Sequence, residues 1–191
     1  MTRTYEMKQR SERQNETRQK IVEATIHLHQ TKGIVATTIN DIADLAGVGR
    51  VTVYRHFPDE LSLVGACSGQ YFERHPFPDP ESWVALSDPL ARLECGLSQT
   101  YNFFAETDAM LSKVYAEARE HPVMAPYHAH WAVMAEMLAK AWPDEQQGLL
   151  RPAIALALDY DTWRTLTKEQ GLDQARAVNL MTRLTCDCGG S

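Results

Sequence analysis

Arg50, Thr52, Tyr54, Arg55 and His56 fall within one stretch of seven residues, and each carries a side-chain hydrogen-bond donor. Two guanidinium groups among neutral donors suit the oxygens of phosphate and the acceptor edge of guanine in the major groove of DNA. The donors alternate with Val51, Val53 and Phe57, which are expected to form the buried side of a short helix and leave the donors pointing outward. Such a helix needs a support. Just upstream, Ile39, Ile42, Ala43 and Leu45 form an apolar stripe at helical spacing. Thr38 followed by Asp41 is a start signal in which each side chain can cap a free backbone N–H. Gly47 is placed to stop that helix, and Val48 to fill the wedge before the next. Residues 37–57, TTINDIADLAGVGRVTVYRHF, thus spell a helix, a three-residue turn and a second short helix. That is a helix-turn-helix with a DNA-reading second helix.

The flanks extend the pattern. From Thr17 to Val64 the chain has a first helix, TRQKIVEATIHLHQTKG, then ATTINDIADLAGVGRVTVYRHFPDELSLV with its T-V-Y-R-H-F close and acidic residues before Leu61. This stretch resembles the TetR family of bacterial transcriptional regulators. The resemblance implies an all-α protein: an N-terminal three-helix helix-turn-helix DNA-binding domain followed by a larger helical ligand-binding and dimerisation domain. The expected divisions are a basic N-terminal arm over 1–14, the DNA-binding domain over 15–75 and the second domain over 76–191. The resemblance implies a DNA-contacting set of Thr37, Thr38, Gly49, Arg50, Val51, Thr52, Tyr54, Arg55 and His56. Thr38, Tyr54 and His56 would hold phosphates, and Arg50, Thr52 and Arg55 would reach base edges. Three positions depart from the family pattern: His29 where Phe is usual, Gly49 where Ser is usual and Val51 where a small residue is usual. Gly49 is a weaker helix cap than Ser, and the departures bear on base preference rather than on fold. His29 reads either as a neutral core histidine or as a titrating switch between the first helix and the fourth.

A chain of 191 residues exceeds one minimal bundle, and a head of about 65 residues leaves enough for a second unit with its own core. Net charge is −6, which alone argues against a nucleic-acid partner. Its distribution argues the other way: residues 1–66 hold nine Lys/Arg and eight Asp/Glu, net +1, while residues 67–191 hold ten and seventeen, net −7. An acidic body behind a more basic reading head keeps the wrong face off DNA phosphates. The first 20 residues hold six basic and three acidic side chains; this arm reads as a solvated tail or as a further contact to the phosphate backbone or minor groove. Apolar runs are far short of a membrane span, and charges stand where a signal peptide needs an apolar stretch. A cytoplasmic protein is expected.

Cys67, Cys95, Cys186 and Cys188 do not form a disulfide framework in a chain of this kind. Cys186-Asp-Cys188 is too tight to hold a metal by itself, and His121, His128 and His130 lie on another segment. No metal and no cofactor is expected. Neither a Gly-rich phosphate loop, nor paired histidines with a carboxylate at metal spacing, nor a Gly-x-Ser-x-Gly turn is present, so an enzyme is not expected.

Beyond Leu61 the pattern is helical throughout. After the prolines of RHPFPDPES at 74–82, helices are expected over 87–107, 108–119, 122–142, 144–168 and 172–186. The last two resemble the family's four-helix dimer interface, with Ile154, Leu158, Thr162, Val178, Met181 and Leu184 facing a second copy; the alternative is that these faces close the chain's own core. All four tryptophans lie beyond the head. Phe104, Tyr115, Trp131, Met134 and Trp163 are expected as the walls of a pocket for a small organic effector, with Tyr101 and His128 as polar contacts. The function expected is that of a ligand-responsive repressor, a homodimer released from a palindromic DNA operator. A ligand-independent DNA-binding regulator or architectural protein is the alternative.

Overall fold

The structure, a computed structural model, describes residues 2–143 and 146–189. The fold is all-α: among the described residues all regular structure is helical. Helix α1 spans Thr2–Lys32, α2 Ile39–Ala46, α3 Arg50–His56, α4 Glu60–Arg74 and α5 Pro80–Val84. Then follow α6 over Pro89–Ala118, α7 over Ala125–Ala139, α8 over Gln147–Ala157, α9 over Tyr160–Arg164 and α10 over Gln174–Gly189.

Several boundaries differ from the sequence expectation. The arm is no tail: α1 begins at Thr2. Its first thirty-one residues contain neither Gly nor Pro, and lengthening an existing helix costs far less than nucleating one. The expected break between 107 and 108 is absent, because α6 runs continuously. Thr107 sits inside it by donating its hydroxyl to the Phe103 carbonyl at 2.6 Å, one turn back. Conversely, the helix expected over 144–168 is three pieces. α8 ends at Ala157, and Asp159 starts α9 by accepting the Asp161 N–H at 2.9 Å. A π-turn, Thr165–Glu169, then closes on the Gln170 N–H to Thr165 carbonyl bond of 2.9 Å.

The chain forms two compact units. The first comprises the residues through His75 with Asp108–Val123; the second comprises Pro76–Thr107 and the residues from Met124 onward. In the first unit Ile21, Val22 and Leu28 of α1 bury against Ile42 and Ala43 of α2, Val53 of α3, Leu63, Cys67 and Tyr71 of α4, and Met110 of α6. Glu23 of α1 accepts from Gln70 at 2.7 Å and pairs with Arg74, tying α4 to α1. Cys67 is part of this core, and burial pushes its thiol up to about 12, so it stays protonated and inert. All four cysteines are free thiols.

In the second unit α7 packs on α8 and α8 on α10, with an Arg151–Glu136 ion pair of 2.8 Å across the first pairing. The buried face of α8 runs Leu150, Ile154, Ala157 and Leu158, and that of α10 runs Ala177, Met181 and Thr185. Ile154, Leu158 and Met181 were expected on the partner-facing surface; they are instead inside the chain's own core, at 0%, 2% and 5% exposure. Thr162 and Val178 are half-buried and Leu184 is exposed. Helical geometry gives the reason: residues spaced 4, 7 and 8 apart share one face, and this face is spent within the unit. Leu149, Leu156, Leu180 and Leu184 lie outward.

Candidate nucleic-acid interface

The support of the reading helix is built from local sequence. Thr38 caps α2 with its hydroxyl oxygen, which accepts the Asp41 N–H at 3.1 Å. The Asp41 carboxylate accepts the Thr38 backbone N–H at 3.0 Å in return. It also takes the Thr38 hydroxyl proton at 2.8 Å and pairs with Lys32 at 2.9 Å. The Lys32 contact, then the Thr38 hydrogen bonds, hold the Asp41 carboxyl down at about 2. At the other end of α2, Gly47 has φ +67°. The Gly47 N–H donates to the Asp44 carbonyl at 3.2 Å and the Val48 N–H to the Ala43 carbonyl at 3.0 Å. Both orphan carbonyls of the helix end are thereby met in a Schellman arrangement that needs a left-handed residue. Val48 packs against the core, and α3 starts from Gly49 without a side-chain cap.

Burial then decides which side of α3 is free. Val53 and Phe57 are 0% and 4% exposed and anchor it. Val51, expected beside them, is 80% exposed, because two residues turn a helix by about 200° and four by about 40° beyond a full turn. The same geometry corrects Leu45, which is 51% exposed, while Ile39, Ile42, Ala43 and Ala46 carry the inner stripe of α2. Gly49, Arg50, Val51, Tyr54 and Arg55 form the open side of the turn and α3, and Thr52 and His56 are half-buried at its edges. Among the described residues Arg50 and Arg55 make no ion pair. His56 is pushed down by burial and by the charges of Arg55 and Arg18, so near neutral pH it offers an N–H donor rather than a cation. Thr37 spends its hydroxyl on the Gly33 carbonyl at 2.6 Å.

The expected effector residues are placed as follows. Tyr115 belongs to the first unit; Tyr101, Phe104, His128, Trp131, Met134 and Trp163 belong to the second. Phe104 lies 5.2 Å from Trp131 and 5.9 Å from Trp163, ring centre to ring centre. Tyr160 and Phe103, which were not in the expected set, join this cluster. Met134 is buried and His128 half-buried. Tyr101 is fully buried and donates its hydroxyl to the Ala157 carbonyl at 3.1 Å; burial, with Asp159 nearby, pushes its pKa up. The indole N–H groups of Trp131 and Trp163 are buried without a hydrogen-bond partner among the described residues. No helix among the described residues is long and apolar enough to cross a membrane.

Comparison with known proteins bears directly on the turn and its helices. Residues 21–67 match the profile of the bacterial regulatory proteins of the tetR family. The chain is 28% identical over 148 residues to the transcriptional repressor KstR of Mycobacterium tuberculosis. That match covers 78% of this chain and 61% of the repressor's length. A TetR-like transcriptional regulator from Rhodococcus sp. RHA1 superposes with a TM-score of 0.64 at 14% identity, over 92% of this chain and 97% of that one. The multidrug binding protein EbrR, solved with ethidium, superposes with a TM-score of 0.57 at 25% identity, over 88% of this chain and 98% of that one. The matched residues run from the core-facing side of α1 through the capped α2, the glycine turn and α3 into α4, and the helical fold is shared far beyond them. Residues 21–67 thus carry the helix-turn-helix of the bacterial regulatory proteins of the tetR family, and the chain spans about three fifths of the length of the repressor it matches.

Proposed function

We propose that the protein is a ligand-responsive, sequence-specific DNA-binding transcriptional regulator, a repressor that a small organic effector releases from a palindromic operator. One observation carries this reading: α3 is anchored by buried Val53 and Phe57 while Arg50, Tyr54 and Arg55 stand free beside it. Arg50 and Arg55 would read base edges with Thr52, since guanidinium is the group best matched to guanine. Tyr54, Thr38 and the neutral His56 would take phosphates, with Thr37, Gly49 and Val51 against the DNA surface. Thr38 can do so at small cost, because it keeps the Asp41 N–H as donor to its oxygen when its proton turns from Asp41 to a phosphate. That role puts its working place in the cytoplasm.

A single short helix reads few base pairs, so the reading includes a homodimer on two half-sites. Leu149 and Leu156 of α8 with Leu180 and Leu184 of α10, exposed on paired helices, are the surface that supports it. The effector reading is supported by the buried, unpartnered indole N–H groups of Trp131 and Trp163. A buried donor left unmade costs about 1–3 kcal/mol, and a ligand with acceptor oxygens among Phe104, Met134 and these rings would recover it. EbrR, bound to ethidium, is a structural neighbour that takes a small organic molecule.

Selection from randomised duplexes tests the DNA half: a palindromic consensus is expected, and recovery of no preferred sequence would overturn it. Tryptophan emission titrated with a metabolite library, with and without the selected operator, tests the effector half. A tenfold loss of operator affinity requires about 1.4 kcal/mol of differential binding, and operator must weaken the ligand by the same factor. Equal ligand affinities in the two titrations would overturn the coupling.

A further inference from the structure

The first unit carries a cavity of about 490 Å³ beneath the reading helix, with Thr37 and Tyr54 of the proposed DNA-contacting set on its wall. Its apolar walls come from Ile34, Ile39, Ile42, Phe57, Leu63 and Val64. Asp59, Glu60 and Glu117 also line it, and neither Lys nor Arg does. The three carboxylates stand on exposed residues at the edge of the cavity with His121 beside them, and together they favour a positive guest. Two of them are held in place by backbone: Asp59 accepts the Ser62 N–H at 2.7 Å and Glu117 the Val35 N–H at 2.9 Å. A carboxylate has about four acceptor positions, so each keeps capacity for a ligand.

His29 is an independent sign. It lines the same cavity at 7% exposure, and its imidazole has no hydrogen-bond partner among the described residues. Burial lowers its pKa against the opposing pull of Glu117 and Glu60, so it adds no positive charge of its own. A neutral imidazole carries one acceptor nitrogen, which a bound donor can use.

We propose that this cavity is a binding site for a small primary amine on an apolar or aromatic body, its ammonium group shared among Glu117, Glu60 and the free ring nitrogen of His29. An ammonium carries three donors, which matches these three acceptors, and the isoleucine, phenylalanine and leucine walls take the body. The site stands on this geometry whether or not the second unit binds an effector of its own.

The probe is 2-phenylethylamine, compared with its neutral counterpart 2-phenylethanol, read from the isoleucine methyl signals of the full chain. The amine is expected to shift Ile34, Ile39 and Ile42 saturably, leaving Ile154 of the second unit unmoved, and the alcohol to bind about tenfold more weakly. Glu117→Gln should weaken the amine by a similar factor without changing the alcohol. Glu60 is exposed, so Glu60→Gln leaves the fold intact and decides the matter should the Glu117 variant fail to fold; it too should weaken the amine alone. The proposal is overturned by shifts confined to Ile154, by no saturation at the three head isoleucines, by equal affinity for amine and alcohol, or by amine affinity unchanged in Glu60→Gln.

Discussion

Arg50 and Tyr54 sit one helical turn apart on the open side of α3, yet the proposed function gives them different energetics. A phosphate contact carries no sequence information, whereas a good base-edge pair contributes about 1–3 kcal/mol of discrimination. Tyr54→Phe should therefore weaken every site alike, and Arg50→Ala should change which sites are preferred. Competition between selected and altered duplexes checks this, and an unaltered preference profile for Arg50→Ala would remove it as a reader. Asp41 allows a test without DNA. Its folded pKa is depressed to about 2 from an ordinary 3.8, so its contribution is present above the ordinary value and is lost as pH falls through the folded one. Asp41→Asn should thus lower the melting temperature at neutral pH, and its gap from the native chain should narrow as the medium is acidified. A gap independent of pH would show that the Lys32 and Thr38 contacts do not set it.

At the scale of elements, the turn between α1 and α2 is fixed from outside the head sequence. Gly33 has φ +90°, and the Glu117 carboxylate of the α6 end lies where a Cβ on Gly33 would stand. The same carboxylate holds the Val35 N–H. Gly33→Ala should cost more than about 1 kcal/mol from backbone strain, and the Glu117 carboxylate would have to leave the turn to make room. Glu117→Ala should recover part of that loss, giving a double-mutant coupling detectable by denaturant unfolding; strict additivity would mean the carboxylate does not close on this turn. The cap of α2 is more ordinary: Thr38→Ala should destabilise by about 1 kcal/mol.

For the whole molecule, the outward leucines and the inward apolar face make opposite forecasts. Leu156→Glu or Leu184→Glu places a charge on an exposed position, so each protomer should fold while the proposed dimer separates by light scattering. Ile154→Glu buries a carboxylate at a fully enclosed position, which typically costs several kcal/mol, and should unfold the chain rather than merely split it. A native chain that stays monomeric at micromolar concentration would remove the basis for palindromic recognition.

The helix-turn-helix was legible because its information is local. A cap at Thr38, a left-handed stop at Gly47 and a period that buries Val53 with Phe57 act over fewer than eight residues, and backbone sterics and hydrogen bonding determine them wherever the segment lies. The all-α class was legible for the same reason. What required tertiary structure was the choice between equally apolar faces. Periodicity marks Ile154, Leu158 and Met181 as apolar but not whether their partner is this chain or another. Val51 and Leu45 were misassigned for a local reason instead, since a 100° turn per residue already puts them on the far side of their helices. Glu117 lies 82 residues from the Val35 amide it caps, and no spacing rule connects them. Only packing brought its charge, the buried His29 and the walls of α2 and α4 around one cavity.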